Sequence, residues 1–242
     1  MDVYKTNDIS KLIEGNSYVG RGIVIGKSAD GGKSCVAYFI MGRSANSRNR
    51  VFVKKDGAVF TEPFDVSKVE DPSLIIYAAL REYENKLVVT NGDQTDTVVE
   101  SLKNGGDFIS ALNTREFEPD SPNFTPRISG MLTYDKNDFS YMMSILKSAD
   151  SIGTACSRYT FSYPSLAGVG HFIHTYVCDG NPIPTFQGEP ERVEIPDGID
   201  EFTDKLWKAL DKDNKISLYV RYTDLRSGDI EERMINKNNA EA

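Results

Sequence analysis

The chain has 242 residues, 39 % of them hydrophobic and 26 % charged, which suits one large soluble domain or two small ones. Its net charge of −8 argues against a partner made of nucleic acid, because duplex affinity comes largely from Lys and Arg displacing counterions. A small anionic substrate stays open, since a few local arginines can outweigh the global balance. Strand chemistry comes first along the chain: β-branched and aromatic residues between turn signals. Gly22 to Ile25 and Cys35 to Met41 flank the turn Asp30-Gly31-Gly32. Arg50 to Lys54 and Ala58 to Phe60 flank Asp56-Gly57, and Leu74 to Glu82 pairs with Lys86 to Thr90 across Tyr83-Glu84-Asn85. Two helices follow, Asp96 to Asn104 and Asp107 to Thr114, the second with Asp107 as N-cap. Further strands run at Ile128 to Tyr134, Phe139 to Ile145, Cys156 to Tyr163 and His171 to Cys178. Gly180 to Gly198 holds four prolines and reads as a long loop. Phe202, Leu206 and Leu210 make one buried stripe on a helix from Asp200 to Asp211, and a hairpin of Ile216 to Tyr222 and Glu231 to Ile235 closes the chain.

This order does not alternate strand with helix, so a doubly wound parallel sheet is excluded in favour of α+β layers. Residues 1–235 read as a single domain and 236–242 as a frayed polar tail. The longest apolar runs, such as Leu74 to Leu80, are too short to span a bilayer, so no membrane partner is expected. Met1-Asp2-Val3-Tyr4 lacks a secretory pattern, and Cys35, Cys156 and Cys178 form no C-x-x-C pair. Buried reduced thiols and a cytoplasmic location follow.

Several motifs fail on inspection. Gly20 to Ser28 invites a phosphate-loop reading, but Arg21 stands where a glycine is required, and the segment has strand chemistry. His171 and His174 are the only histidines and, three apart on a strand, point to opposite faces, so no metal site is expected. Four runs survive. Gly42 to Arg50 carries three arginines among small polar residues, a setting for phosphate oxygens, or else a solvated basic turn. In Val89 to Thr97 a strand turns into a helix; Asp93 and Asp96 read as caps, while Asn91 and Thr95 either read a purine or an amide or serve plain turn chemistry. Phe117 to Gly130 carries Glu118 and Asp120 among three prolines, then Arg127, as a site loop or as a plain linker. Gly168 to Pro190 supplies aromatics and a Pro-rich cover for a planar ligand.

Taken in order, Y-V-G-R-G-I-V-I-G-K-S, M-G-R-S-A-N-S-R-N-R, T-N-G-D-Q-T-D-T and F-E-P-D-S-P-N-F-T-P-R-I resemble the successive motifs of the archaeal-type IMP cyclohydrolases, the longer bacterial members above all. The resemblance covers residues 18–130 best. It implies a four-layer α-β-β-α, Ntn-hydrolase-like fold with two mostly antiparallel sheets between helices. It also implies closure of 5-formamidoimidazole-4-carboxamide ribonucleotide to IMP, with the formylated precursor and IMP as ligands, no cofactor and no metal; a homo-oligomer is left open. By resemblance Arg48, Tyr77 and Glu118 are catalytic, and Arg21, Arg43, Ser44, Asn91, Gly92, Thr125 and Arg127 bind substrate, with Arg21 and Arg43 as the phosphate clamp. Two rivals are a non-catalytic purine-nucleotide-binding protein and an amide hydrolase of the same layered fold. The second would need Cys35 or Cys156 as nucleophile, and neither has a basic setting in the sequence.

Overall fold

Turn chemistry sets the first hairpin. Gly31 adopts φ +74°, and the Asp30 carboxylate accepts from Gly32 N at 2.8 Å, so β1 (Arg21–Lys27) folds straight back as β2 (Lys33–Met41). The computed structural model describes residues 4–69 and 76–239. Around this hairpin a six-stranded antiparallel sheet forms in the order β11-β10-β1-β2-β12-β13. Its other members are β10 (Val169–His174), β11 (Glu191–Glu194), β12 (Lys215–Asp224) and β13 (Ile230–Asn236). A second antiparallel sheet runs in chain order as β3 (Val51–Lys55), β4 (Ala58–Glu62), β5 (Tyr77–Tyr83), β6 (Lys86–Thr90), β7 (Arg127–Asp135), β8 (Asp138–Ser148) and β9 (Cys156–Pro164). The expected pairing across Tyr83-Glu84-Asn85 is present as β5 on β6, with Tyr83 opposite Lys86. Leu74 and Ile75 lie outside the described residues.

Three apolar cores follow from strand alternation. Ile23, Ile25, Tyr38 and Ile40 of the first sheet meet Ala79, Val89, Ile128 and Ile145 of the second. The opposite face of the first sheet (Val24, Ala37, Phe39, Val220) packs on α1 (Ile9–Ile13) and α5 (Ile199–Ala209). The opposite face of the second (Val88, Met131) packs on α3 (Gln94–Lys103) and α4 (Phe108–Asn113). Phe202 and Leu206 of α5 and Leu210 just beyond it are buried as the stripe predicts, each such side chain contributing about 1.5–3 kcal/mol. Asp107 caps α4 as expected, in a reciprocal box with Ser110. Two short helices, α1 and α2 (Ala45–Arg48), were not foreseen.

Three local expectations need correction. Asp93 precedes α3 but makes no capping bond: its carboxylate holds Arg115 and Arg127, while Asp96 lies inside the helix and pairs with Arg81 at 2.6 Å. Arginine charge competes better for a carboxylate than a backbone N–H does. The segment Gly180 to Gly198 is not one loop, because Glu191–Glu194 pairs with β10, placing Val193 opposite Gly170. The cysteines are not uniformly buried: Cys35 is, Cys156 is intermediate and Cys178 is exposed. The rejection of a phosphate loop at Gly20 to Ser28 agrees with β1. As for the polar end of the chain, Asn236 bonds both backbone groups of Phe52, at 2.7 and 3.0 Å, and Asn238 donates to Arg48 O at 3.0 Å.

The β1–β10 pairing is close at one rung. Gly26 faces Gly170, and a Cβ on Gly26 would lie 2.5 Å from Gly170 Cα and 2.7 Å from Val169 O. Backbone cannot yield there as a flexible side chain can. Gly26→Val is expected to destabilise the fold by at least about 1–3 kcal/mol, read from urea unfolding. A midpoint equal to the parent's would refute this account of the rung.

Candidate active site

The first sheet supplies the floor of a cleft at the end of β1. Gly20 adopts φ +78°, and a Cβ there would lie 2.1 Å from Thr175 Oγ1, so only glycine lets the chain pass. Thr175 then staples the next residue: its Oγ1 accepts from Arg21 N at 3.1 Å and its N donates to Arg21 O at 3.0 Å. Arg21 is thereby fixed at the strand start with its side chain 8 % exposed.

The basic run after β2 supplies the rim. Gly42 is needed where the chain turns tightly, since a Cβ would meet Ser47 Oγ at 2.6 Å. Ser44 and Ser47 then close α2 in a capping box. Asn49 clamps Asp65 through both its amide atoms, each at 2.7 Å, which holds the chain as it enters β3. Arg50 follows, 6 % exposed.

The cleft has a volume of about 280 Å³. Arg21, Arg50, Glu118, Asp120, Thr125 and Tyr176 line it, with Tyr18, Arg43 and Ser44 toward the rim. Arg21 and Arg50 make no ion pair among the described residues, and the Nε of each is buried without a hydrogen-bond partner. Buried polar groups are ordinarily satisfied, so unspent donors facing a cleft mark a place for a ligand's acceptors. Glu118 is 8 % exposed and held by its backbone, Glu118 N donating to Thr125 O at 2.9 Å. Burial raises its carboxyl above the ordinary range; Arg21 and Arg127 oppose this, and Asp120 adds to it. Burial and the Arg21 cation both lower the pKa of Arg50. Behind them Tyr77 is buried, and its hydroxyl lies 2.9 Å from that of Tyr38.

One wall is aromatic. Tyr18 stacks on Tyr176 at 5.7 Å, and the Arg43 guanidinium carbon lies 5.2 Å from the Tyr18 ring centre. Thr125 Oγ1 meets Tyr176 Oη at 2.6 Å and Thr125 N donates to Asp120 at 2.6 Å, tying the Pro-rich loop to the wall. Arg43 also pairs with Asp179 and donates to Gly180 O at 2.9 Å, which joins the rim to the segment after β10.

Of the expected residues, Arg21, Arg43, Ser44, Glu118 and Thr125 come together in this cleft, with Tyr77 close enough to influence Arg21 and Arg50. Arg48 is turned elsewhere: Nε donates to Gly42 O at 3.1 Å and Nη2 to Asn214 at 2.7 Å. Asn91, Gly92 and Arg127 form a knot beside the cleft. Asn91 bonds Pro126 O, Ile128 N and Gln94, and Arg127 donates to Asp93 and Gln94, both at 2.7 Å. A Cβ at Gly92 would strike Arg127 Nη1 at 2.5 Å. Arg50, Tyr18, Asp120 and Tyr176 went unassigned in the sequence reading, though each lies in a run singled out there. Cys35 and Cys156 are absent from the lining; burial pushes both thiols up, the opposite of an activated nucleophile. No helix among the described residues is long and apolar enough to cross a membrane.

Arg43 is the half-buried member of the cleft's arginine set and already has a carboxylate partner. Arg43→Ala is expected to raise KM several-fold and leave kcat nearly unchanged, because a rim cation contributes to binding equally before and during reaction. A loss confined to kcat would move Arg43 to the reacting atoms.

Fold and cleft together define an α+β protein with a small, cation-rich pocket at the end of a β-hairpin. Residues 18–228 match the family described as IMP cyclohydrolase-like protein, and the chain belongs to that family. It is similar to proteins named IMP cyclohydrolase from three organisms. Identity is 36 % over 116 residues with that of Methanopyrus kandleri, covering 46 % of this chain and 57 % of the relative. With that of Methanococcus maripaludis strain C7 it is 32 % over 129 residues, covering 52 % and 63 %. With that of Methanococcus aeolicus it is 27 % over 165 residues, covering 66 % and 75 %. The chain thus covers less than two thirds of the first two relatives' own length.

Proposed function

We propose that this chain is a cytoplasmic IMP cyclohydrolase, closing 5-formamidoimidazole-4-carboxamide ribonucleotide to IMP with loss of water. One observation carries the reading: two buried guanidiniums with unspent donors and a buried carboxyl face the same cleft. The names of the relatives support it.

The reacting groups sit on one imidazole ring, so proximity is supplied by the substrate and the protein has to fix the rotamer. The carboxamide nitrogen attacks the formyl carbon, and the formyl oxygen gathers negative charge. Arg50 and Arg21 face that charge; Arg50 takes the role that the sequence alone gave to Arg48. Glu118 accepts the carboxamide proton and returns it to the oxygen, giving a carbinolamine. It then accepts the formamido N–H proton and passes it to the departing hydroxyl, which leaves as water as the ring double bond forms. Tyr77, oriented by Tyr38, backs the two guanidiniums from behind. Arg43 with the capped turn at Ser44 holds the 5′-phosphate, and the Tyr18–Tyr176 wall packs against the nucleotide. Arg127, Asn91 and Gly92 act from behind, holding the positive field and the path of the Glu118 loop.

The three separate cores support the four-layer, Ntn-hydrolase-like order for a single unit over residues 1–235. The test is to mix purified protein with the formylated precursor and follow purine absorbance. Turnover that disappears with the cleft variants is the expected result. Tight binding of IMP with no turnover would replace this reading with a nucleotide-binding role.

A further inference from the structure

A second cavity, of about 580 Å³, lies where edge strands of the two sheets approach each other. Tyr163 and Pro164 of β9, His171 of β10 and Arg192 of β11 line it, together with the turn before β11. It shares no lining residue with the cleft.

His171 and Arg192 are cross-strand partners, so their side chains leave the same face of the sheet. His171 is 9 % exposed, and its ring stacks on Tyr163 with centroids 3.6 Å apart and planes 12° apart. Its Nδ1 lies 2.7 Å from Tyr141 Oη. Tyr141 is buried, and this is the hydroxyl's one hydrogen bond among the described residues. A buried phenol needs an acceptor for its proton, so Tyr141 donates to Nδ1 and the ring hydrogen sits on Nε2. Burial, with the Arg192 cation adding to it, pushes the His171 pKa down to about 4, so this neutral form persists at physiological pH. Nε2–H is then a donor with no protein partner among the described residues. The Arg192 guanidinium has none either, and its Nε is buried. Glu189 and Glu191 line the same cavity, yet neither forms an ion pair with Arg192 among the described residues.

We propose that this cavity binds a small organic anion. Its carboxylate or phosphate group is received by His171 Nε2–H and the Arg192 guanidinium, and its body lies against Tyr163, Pro164 and Leu166. Two convergent donors over an aromatic and proline-lined wall suit that chemistry, and small-ligand sites commonly occupy about 300–1,000 Å³. The assignment is independent of the reaction proposed for the cleft.

The chain's two histidines make the test local. His171 reports this cavity. His174, whose Nδ1 lies 2.7 Å from the carbonyl of the cleft residue Tyr176, reports the other. Protein carrying ¹⁵N-labelled histidine is titrated with inorganic phosphate, phenyl phosphate and benzoate while both ring signals are followed by NMR. The His171 signal is expected to move and saturate with phenyl phosphate or benzoate at least tenfold below inorganic phosphate; the stronger of the two identifies the head group. Arg192→Gln should weaken that response by at least about tenfold, the usual effect of losing a charged hydrogen-bond donor, with His174 in place as evidence of folding. Arg192→Lys, which keeps the charge and loses the fork, should weaken it less and serves if the Gln variant does not fold. A His171 signal that none of the anions moves overturns the proposal. So does an equal response to all three anions, an undiminished response in Arg192→Gln, or a shift confined to His174.

Discussion

Glu118→Gln is expected to lower kcat by at least about 10²-fold, the usual lower bound for one general acid–base group. The amide keeps the shape of the side chain and loses the ability to carry a proton between nitrogen and oxygen. The effect on stability should run the other way. Burial holds Glu118 above its ordinary value of 4.5, so the folded chain binds this proton more tightly than the unfolded chain does. Stability therefore falls as pH rises from 4.5 through the raised value, and ionised Glu118 is a cost at neutral pH. Glu118→Gln removes that cost. The variant should be at least as stable as the parent by urea unfolding at neutral pH, with its advantage shrinking as pH drops through the raised value and gone below 4.5. An inactive variant that is also markedly less stable would mean that Glu118 holds the loop and does not move protons.

Arg50→Ala is expected to cost about 10²–10³-fold in kcat, the range seen when one donor to a developing oxyanion is removed. The neighbouring substitution supplies the contrast. Arg48→Ala loses bonds to Gly42 O and Asn214 and touches no cleft surface, so its kcat should stay within several-fold of the parent. Steady-state kinetics on the pair decides between the two arginines. A large kcat loss in Arg48→Ala with a small one in Arg50→Ala would return the role to Arg48.

That exchange shows what the sequence could and could not carry. Arginines two apart in S-R-N-R look equivalent as letters. They diverge because α2 ends between them: Arg48 belongs to its last turn, while Asn49 clamps Asp65 and sends Arg50 inward. Such a divergence depends on contacts with Asp65 and Asn214, which no local pattern announces. The strands were easier to read, because β-branched runs between Asp-Gly turns are local signals, and β1, β2, β6, β7 and β12 fall within a few residues of expectation. The capped helix at Asp107 was also legible. Glu191–Glu194 was hidden among prolines, since a four-residue edge strand is fixed by its partner β10 more than by its own residues. Asn91 and Arg127 carry the residue types of ligand readers, but their hydrogen bonds are taken by Pro126, Ile128, Asp93 and Gln94. Residue type alone could not separate a binding group from a brace.

The hydroxyl contact between Tyr38 and Tyr77 crosses the gap between the two sheets, for Tyr38 stands on β2 and Tyr77 on β5. The cleft is divided in the same way: Arg21 rides on the first sheet, while Arg50 leads into the second. No single rigid element carries the whole constellation. Its alignment is inherited from the thickness of the apolar layer of Ile23, Ile25, Val89 and Ile145. Misplacing a reacting group by about 1 Å can cost about 10²-fold in rate. Side-chain volume deep in that layer therefore acts as a spacer for the chemistry at its end, and a methyl group lost or gained there can detune the site without touching it.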